Sequence, residues 1–152
     1  MARLAIVCYS EGGHTAWLAE QLRLAAIEAA IEPVLIDADD PIDIDNLLTF
    51  DAYAFGSPNY LNYMAGAMKT VFDRLSAFQP VLSGRPFIAF TSTQGEGSAA
   101  LDSLNQLAQV IGLKQAHPGL CWKAKDTRSI SDLCTETLTA LLKHLPPTES
   151  ET

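Results

Sequence analysis

Three short stretches hold the residues whose types and spacing could do chemistry. The first, Ser10-Glu11-Gly12-Gly13-His14-Thr15, sets two hydroxyls and a histidine around a glycine pair. Where such a stretch opens a helix, the unpaired N–H groups and the helix dipole favour an anion such as phosphate. It contains no Lys or Arg, so neutral N–H and O–H donors would have to hold that charge. A plain helix cap fits the same residue types. The second stretch, Gly56-Ser57-Pro58-Asn59-Tyr60-Leu61-Asn62-Tyr63-Met64-Ala65-Gly66, offers aromatic faces and amides that suit a planar heterocycle. A core-covering role for Tyr60 and Tyr63 fits equally. The third, Thr91-Ser92-Thr93-Gln94-Gly95-Glu96-Gly97-Ser98, is rich in hydroxyl and glycine and can bring backbone donors close to a ligand. A loop capped at Ser98 is its plainer reading.

These stretches need elements to position them. Leu4 to Tyr9 is a nearly unbroken apolar run, the pattern of a strand buried on both faces. Leu18, Leu22, Ala25 and Ala29 fall at helical spacing within Thr15 to Ala30. The alternation continues with a strand at Val34 to Ile36, a short helix at Pro41 to Leu48 and a strand at Ala52 to Phe55. A helix at Gly66 to Phe78, a strand at Phe87 to Phe90 and a helix at Ala99 to Ile111 follow. A fifth strand lies within Lys114 to Trp122, although His117-Pro118-Gly119 interrupts its pattern. A last helix runs from Ser131 to Leu145 and stops at Pro146-Pro147. Five alternations predict an open, doubly wound α/β sheet. Ligands of such sheets bind beyond the carboxyl ends of the strands, which is where all three stretches begin.

Composition narrows the function classes. The 152 residues suit one domain, read as 1–146 with a polar tail at 147–152. The net charge of -8 argues against nucleic acid and against an anionic lipid surface. The acids concentrate between Arg23 and Lys69, where Glu28, Glu32, Asp37, Asp39, Asp40, Asp43, Asp45 and Asp51 meet no Lys or Arg. A solvated face explains this, and so does a field that steers a partner. Cys8, Cys121 and Cys134 form no C-x-x-C pair, so no zinc or thioredoxin motif is present. No apolar run is long enough to span a membrane and no signal peptide is read, so a cytoplasmic location is expected. The G-x-x-x-x-G-K-[ST] and G-x-G-x-x-G phosphate motifs are absent from the first loop. The acids are also misplaced for a phosphoacceptor domain.

Over nearly its whole length the chain resembles the flavodoxin-like FMN-binding family. Tyr9 to Thr15 (YSEGGHT) is similar to that family's phosphate loop, S/T-x-x-G-x-T. The run FGSPNYLNYMAGAMKTVFDR is similar to the G-x-P-x-x-x-x-x-M-x-G-x-M-+-x-F-x-D segment of the NAD(P)H:quinone oxidoreductases of the Trp-repressor-binding type. FTSTQGEG resembles their third loop, F-x-S-T-x-G-x-G. This chain differs from them at Tyr60-Leu61-Asn62-Tyr63, where an Arg followed by an aromatic residue is common.

The resemblance implies a flavodoxin-like three-layer α/β sandwich with a five-stranded parallel sheet in the order 2-1-3-4-5. It implies FMN as cofactor, NAD(P)H as electron donor and a quinone-like acceptor, in a homo-oligomer such as a dimer or tetramer. Ser10, Gly12, Gly13, His14 and Thr15 would hold the phosphate. Ser57, Pro58, Asn59, Tyr60 and Asn62 would line the ribityl chain and ring. Thr91, Ser92, Thr93, Gln94 and Gly95 would complete the contacts. His14 could donate a proton to a phosphate oxygen or only cap the helix. His117, with Trp122 near the pocket mouth, is a candidate proton donor to a reduced quinone, since histidine titrates in a suitable range; a satisfied structural histidine fits it too. Two other functions stay open: an electron carrier that docks a redox partner protein, and a flavin-free binding module.

Overall fold

Leu4, Ala5, Ile6 and Val7 are all fully buried, and they form the centre of strand β1, Arg3–Cys8. The computed structural model describes residues 1–10, 13–59, 63–93, 99–123 and 129–145. β1 lies between β2 (Glu32–Asp37) and β3 (Ala52–Gly56), parallel to both. β3 continues the parallel sheet to β4 (Pro86–Thr93). β4 then pairs with two short strands, β5 (Lys114–Gln115) and β6 (Leu120–Lys123). The order is β2-β1-β3-β4-β5, with β6 also on β4, as the resemblance implies.

The expected fifth strand is therefore two pieces. Pro118 has no N–H to give the ladder. The Gly119 N–H turns instead to His117 Nδ1, at 3.0 Å. Pro33 is tolerated within β2 because β2 is an edge strand.

Successive strand side chains point to opposite faces, and each face buries its own core. Leu4, Ile6, Ala54, Ile88 and Phe90 pack under α1 (His14–Glu28) and α6 (Ile130–Leu142). Ala5, Val7, Phe55, Phe87 and Ala89 pack under α3 (Gly66–Leu75) and α5 (Ala99–Val110). Helices on both faces of one parallel sheet make the three-layer sandwich. The Phe55 ring meets Phe72 of α3 at 4.8 Å between centroids, which fixes that helix on the sheet.

Two helices are shorter than their apolar patterns suggest. The short helix expected at Pro41 to Leu48 is one turn, α2 (Ile44–Leu47), because Asp43 caps it by accepting the Asn46 N–H. The helix expected to reach Phe78 leaves α geometry after Leu75, passes through a tighter turn at Ser76–Phe78 and resumes as α4 (Gln79–Leu82), with a proline in its first turn.

Several acids of the unbroken acidic span have structural partners. Besides Asp43, Asp37 accepts the Asp39 N–H, Asp51 accepts the Arg3 N–H and Glu32 pairs with Arg3. Among the described residues no helix is long and apolar enough to cross a membrane.

Candidate functional site

The carboxyl ends of β1, β3 and β4 meet at one edge of the sheet, and hydrogen bonds tie their loops together. The Tyr9 N–H donates to the Gly56 carbonyl, joining the first loop to the second. Thr91 Oγ1 donates to the Ser57 carbonyl at 2.6 Å, and the Ser57 N–H donates to the Phe90 carbonyl, joining the second to the third. Thr15 Oγ1 and Ser92 Oγ lie 3.0 Å apart, joining the third to the first. The circuit closes around a point where Gly56 lies hard against the Phe90 ring. A Cβ on Gly56 would stand 2.1 Å from Cε2 of the fully buried Phe90 ring, so no larger residue fits there.

The first loop enters α1 through Gly13, which sits in the left-handed region at φ 89 as the N-cap. That conformation favours glycine and turns the chain straight into the helix. No side chain of the described residues caps the helix start in the usual way, and its first turn has no acid. Ser10 Oγ instead reaches the Ala16 N–H at 3.1 Å. Because Ser10 accepts in that bond, its own hydroxyl hydrogen points elsewhere. Thr15 and Ser92 share one bond and carry two hydroxyl hydrogens, so one of the two is left to donate. The result is a set of neutral donors on the positive end of a helix dipole, suited to a phosphate. The basic side chain nearest by strand register is Lys123, at the end of β6 opposite Thr93.

The second loop is braced from within. Ser57 Oγ accepts the Ala65 N–H and donates to the Pro58 carbonyl, both at 2.8 Å, and Ser103 Oγ accepts the Met64 N–H. Ser57 and Thr91 are buried, with their hydroxyls engaged in these ties. Asn59 differs: its Oδ1 is shut off from solvent and has no hydrogen-bond partner. A buried acceptor left in that state costs about 1–3 kcal/mol.

The structure thus brings together Ser10, Gly13, His14, Thr15, Ser57, Pro58, Asn59, Thr91, Ser92 and Thr93 at one edge. The expected site residues Gly12, Tyr60, Asn62, Gln94 and Gly95, and the tail at 147–152, lie outside the described residues. His117 is not at this edge. It occupies the break between β5 and β6, alongside the middle of β4, with its Nδ1 engaged by the Gly119 N–H. Burial lowers its pKa, and nearby Glu136 only partly opposes that.

Trp122 does reach the site, opposite Ser92. It packs against Trp17 of the first turn of α1, with ring centroids 5.9 Å apart. Trp17 was not legible as a site neighbour. Its position two residues after Thr15 was the only hint, and helical spacing gave it no partner.

Cys8, at the end of β1, is half-buried, and its thiol is pushed up to about 11 by burial and then by Asp37. A protonated thiol is a poor nucleophile. Among the described residues no group of His, Cys, Asp or Glu could hold a metal.

Do these residues fit FMN? The helix start and its hydroxyls answer an anionic phosphate, and the buried Asn59 oxygen answers a hydrogen-bond donor. FMN carries both on one molecule, with its phosphate at one end and N–H and hydroxyl donors along the rest. The fold and site define a flavodoxin-like FMN-binding protein.

The comparisons agree. Residues 43–122, more than half of the chain, match the family described as NADPH-dependent FMN reductase, and the chain belongs to that family. The matched segment contains the second and third loops and leaves out the first. Oxidised Flavodoxin 1 from Bacillus cereus is 19% identical, with a TM-score of 0.82, covering 95% of this chain and 100% of that one. A flavodoxin from the domain Archaea is 25% identical, with a TM-score of 0.79 over 93% and 98%. A WrbA-like flavodoxin from Agrobacterium tumefaciens is also 25% identical, with a TM-score of 0.70 over 95% and 96%. No curated protein matches the chain.

Proposed function

We propose that this protein is an FMN-dependent oxidoreductase that takes electrons from NAD(P)H and passes them to a quinone-like acceptor. The observation that carries the reading is the family match over residues 43–122, because it spans both ring-side loops and its family is described by NADPH-dependent chemistry. The likeness to a WrbA-like protein points the same way.

Bound FMN would supply the electron transfer, and the chain supplies binding and orientation. The α1 N-terminus, Ser10 and the Thr15–Ser92 pair would hold the phosphate. The braced second loop would set the ring against the ends of β3 and β4. Trp17 and Trp122, packed on each other, would flank the first loop. His117, engaged in its own turn away from this edge, has no part in this reading.

The test is a visible spectrum of the purified protein reconstituted with FMN, repeated without oxygen after NADPH is added. Loss of the flavin band, and its return when a quinone is added, is the expected result. A second reading, an electron carrier, is favoured by exposed Asp39 and Asp40 just past the end of β2. It predicts a flavin band that survives NADPH and bleaches only with a reductase partner. A protein that binds no FMN at all would leave the flavin-free module.

A further inference from the structure

The chain has two tryptophans, Trp17 and Trp122, and they meet beside the first loop, with ring centroids 5.9 Å apart and planes tilted by 42°. Trp122 stands near the end of β6, opposite Ser92, the hydroxyl partner of Thr15. It packs against the core under α1 and α6. Trp17, in the first turn of α1, keeps 43% of its surface exposed. A large ring held by a neighbour and still open to solvent is a platform for a planar ligand. Tyr63 is the other exposed aromatic residue among those described, and it belongs to the second loop.

The tryptophans lie outside all three loops. They flank the first loop, the phosphate end of the site, whereas the reacting ring falls to the second and third. A planar group seated on them is therefore the end of a substrate that does not react.

Lys123 follows Trp122 and lies opposite Thr93 of the third loop. Neighbours on a strand point to opposite faces. Cys121 packs against one core and Trp122 against the other, so Lys123 falls on the Cys121 face. It is exposed, and none of the ion pairs among the described residues involves it. The end of β6 thus presents an aromatic platform on one face and a cation, beside the third loop, on the other.

We propose that Trp17 and Trp122 seat the adenine ring of the nicotinamide dinucleotide donor, with Lys123 beside its diphosphate. This rests on the oxidoreductase reading above and adds to it the place where the non-reacting half of the donor is held. Adenine and diphosphate are common to NADH and NADPH, so the seat serves either.

The pair makes its own test, because all tryptophan emission of the chain comes from it. ADP is titrated into the FMN-loaded protein, with nicotinamide mononucleotide as the control. The expected result is a saturable change in tryptophan emission with ADP and none with the mononucleotide. Lys123→Gln should weaken ADP binding and leave adenosine binding unchanged.

Kinetics give a second readout. Trp17→Ala should raise the KM for NADPH at least about fivefold, the low end of what stacking one base supplies, with kcat unchanged. Reduced nicotinamide mononucleotide lacks the adenine, so its KM should be the same in both proteins. Trp17→Phe keeps an aromatic plane and should stay near the unsubstituted values.

A silent ADP titration overturns the proposal. So does an unaltered KM for NADPH in Trp17→Ala, or an equal rise for both donors, which places the effect on the FMN site. Equal ADP binding by Lys123→Gln removes Lys123 from the seat. If Trp17→Ala does not fold, the ADP titration of the unsubstituted protein decides. A flavin that neither donor bleaches overturns the oxidoreductase reading instead, and the ADP titration then decides the seat alone.

Discussion

Thr15 and Ser92, 77 positions apart in sequence, hold their hydroxyl oxygens 3.0 Å from each other at the loop edge. Thr15 belongs to the first turn of α1 and Ser92 to the end of β4, so one hydrogen bond couples the helix start to the third loop. We expect Thr15→Val to weaken FMN binding by about tenfold, through loss of that coupling and of one hydroxyl donor. A double-mutant cycle with Ser92→Ala in urea melts should give a coupling of about 0.5–1.5 kcal/mol. Strictly additive effects would mean that the two hydroxyls do not work together.

Gly56 is the tightest point of the sheet edge. An alanine there would drive its Cβ to 2.1 Å from the Phe90 ring. Phe90 is fully buried and cannot swing away. Gly56→Ala should destabilise the fold by about 1–3 kcal/mol, the usual range for overpacking. A companion Phe90→Leu change should recover part of that loss by making room. Denaturant midpoints of the two variants decide it, and an unaltered midpoint for Gly56→Ala would refute the close approach.

His117 should give the fold a mild acid sensitivity. Burial, only partly offset by Glu136, lowers its folded pKa below the ordinary value of about 6.5. Between the folded value and that ordinary value, the unfolded chain binds a proton that the folded chain does not. The contribution to stability is therefore complete above about pH 6.5 and is lost as pH falls through the window below it. Protonation also removes the Nδ1 acceptor of the Gly119 N–H. His117→Gln should flatten urea midpoints measured across this window. An identical slope in both proteins would remove His117 as its source.

The cysteines should differ from ordinary exposed thiols. Burial raises Cys134 to about 12, and burial with Asp37 raises Cys8 to about 11. Both are thiols at pH 8, where a free cysteine of pKa about 8.5 is partly thiolate. Iodoacetamide should label Cys8 and Cys134 far more slowly in the folded protein than in the urea-unfolded one, as read by peptide mass spectrometry. Equal rates would contradict the shifts.

Much of the fold can be read directly from the chain because its signals are local. The run Leu4 to Val7 has no polar face and so must lie inside a sheet covered on both sides. Leu18 and Leu22 of α1, and Met68, Val71, Phe72 and Leu75 of α3, mark the faces that cover it. The glycines and hydroxyls following β1, β3 and β4 mark the ends where a ligand would bind. Strand five was harder, because a proline and the side chain of His117 compete with the ladder over a few residues, and only the packed sheet shows where pairing resumes. His117 itself stood as a site candidate on its chemistry alone, and its register beside the middle of β4 placed it elsewhere.

By itself the sequence determined the element types, a parallel sheet and the loops that carry donors. These follow from periodicity, turn chemistry and buried apolar runs, which act over neighbouring residues. Only the tertiary structure decided which polar atoms satisfy one another. Ser57 and Thr91 turned out to be ties between loops, Thr15 found Ser92, and Trp17 found Trp122. Asn59 Oδ1 was left without a partner. Composition cannot reveal such a result, because a hydrogen bond has direction and each hydroxyl has one hydrogen to give. Which acceptor remains depends on how residues distant in sequence are brought within 3 Å of one another.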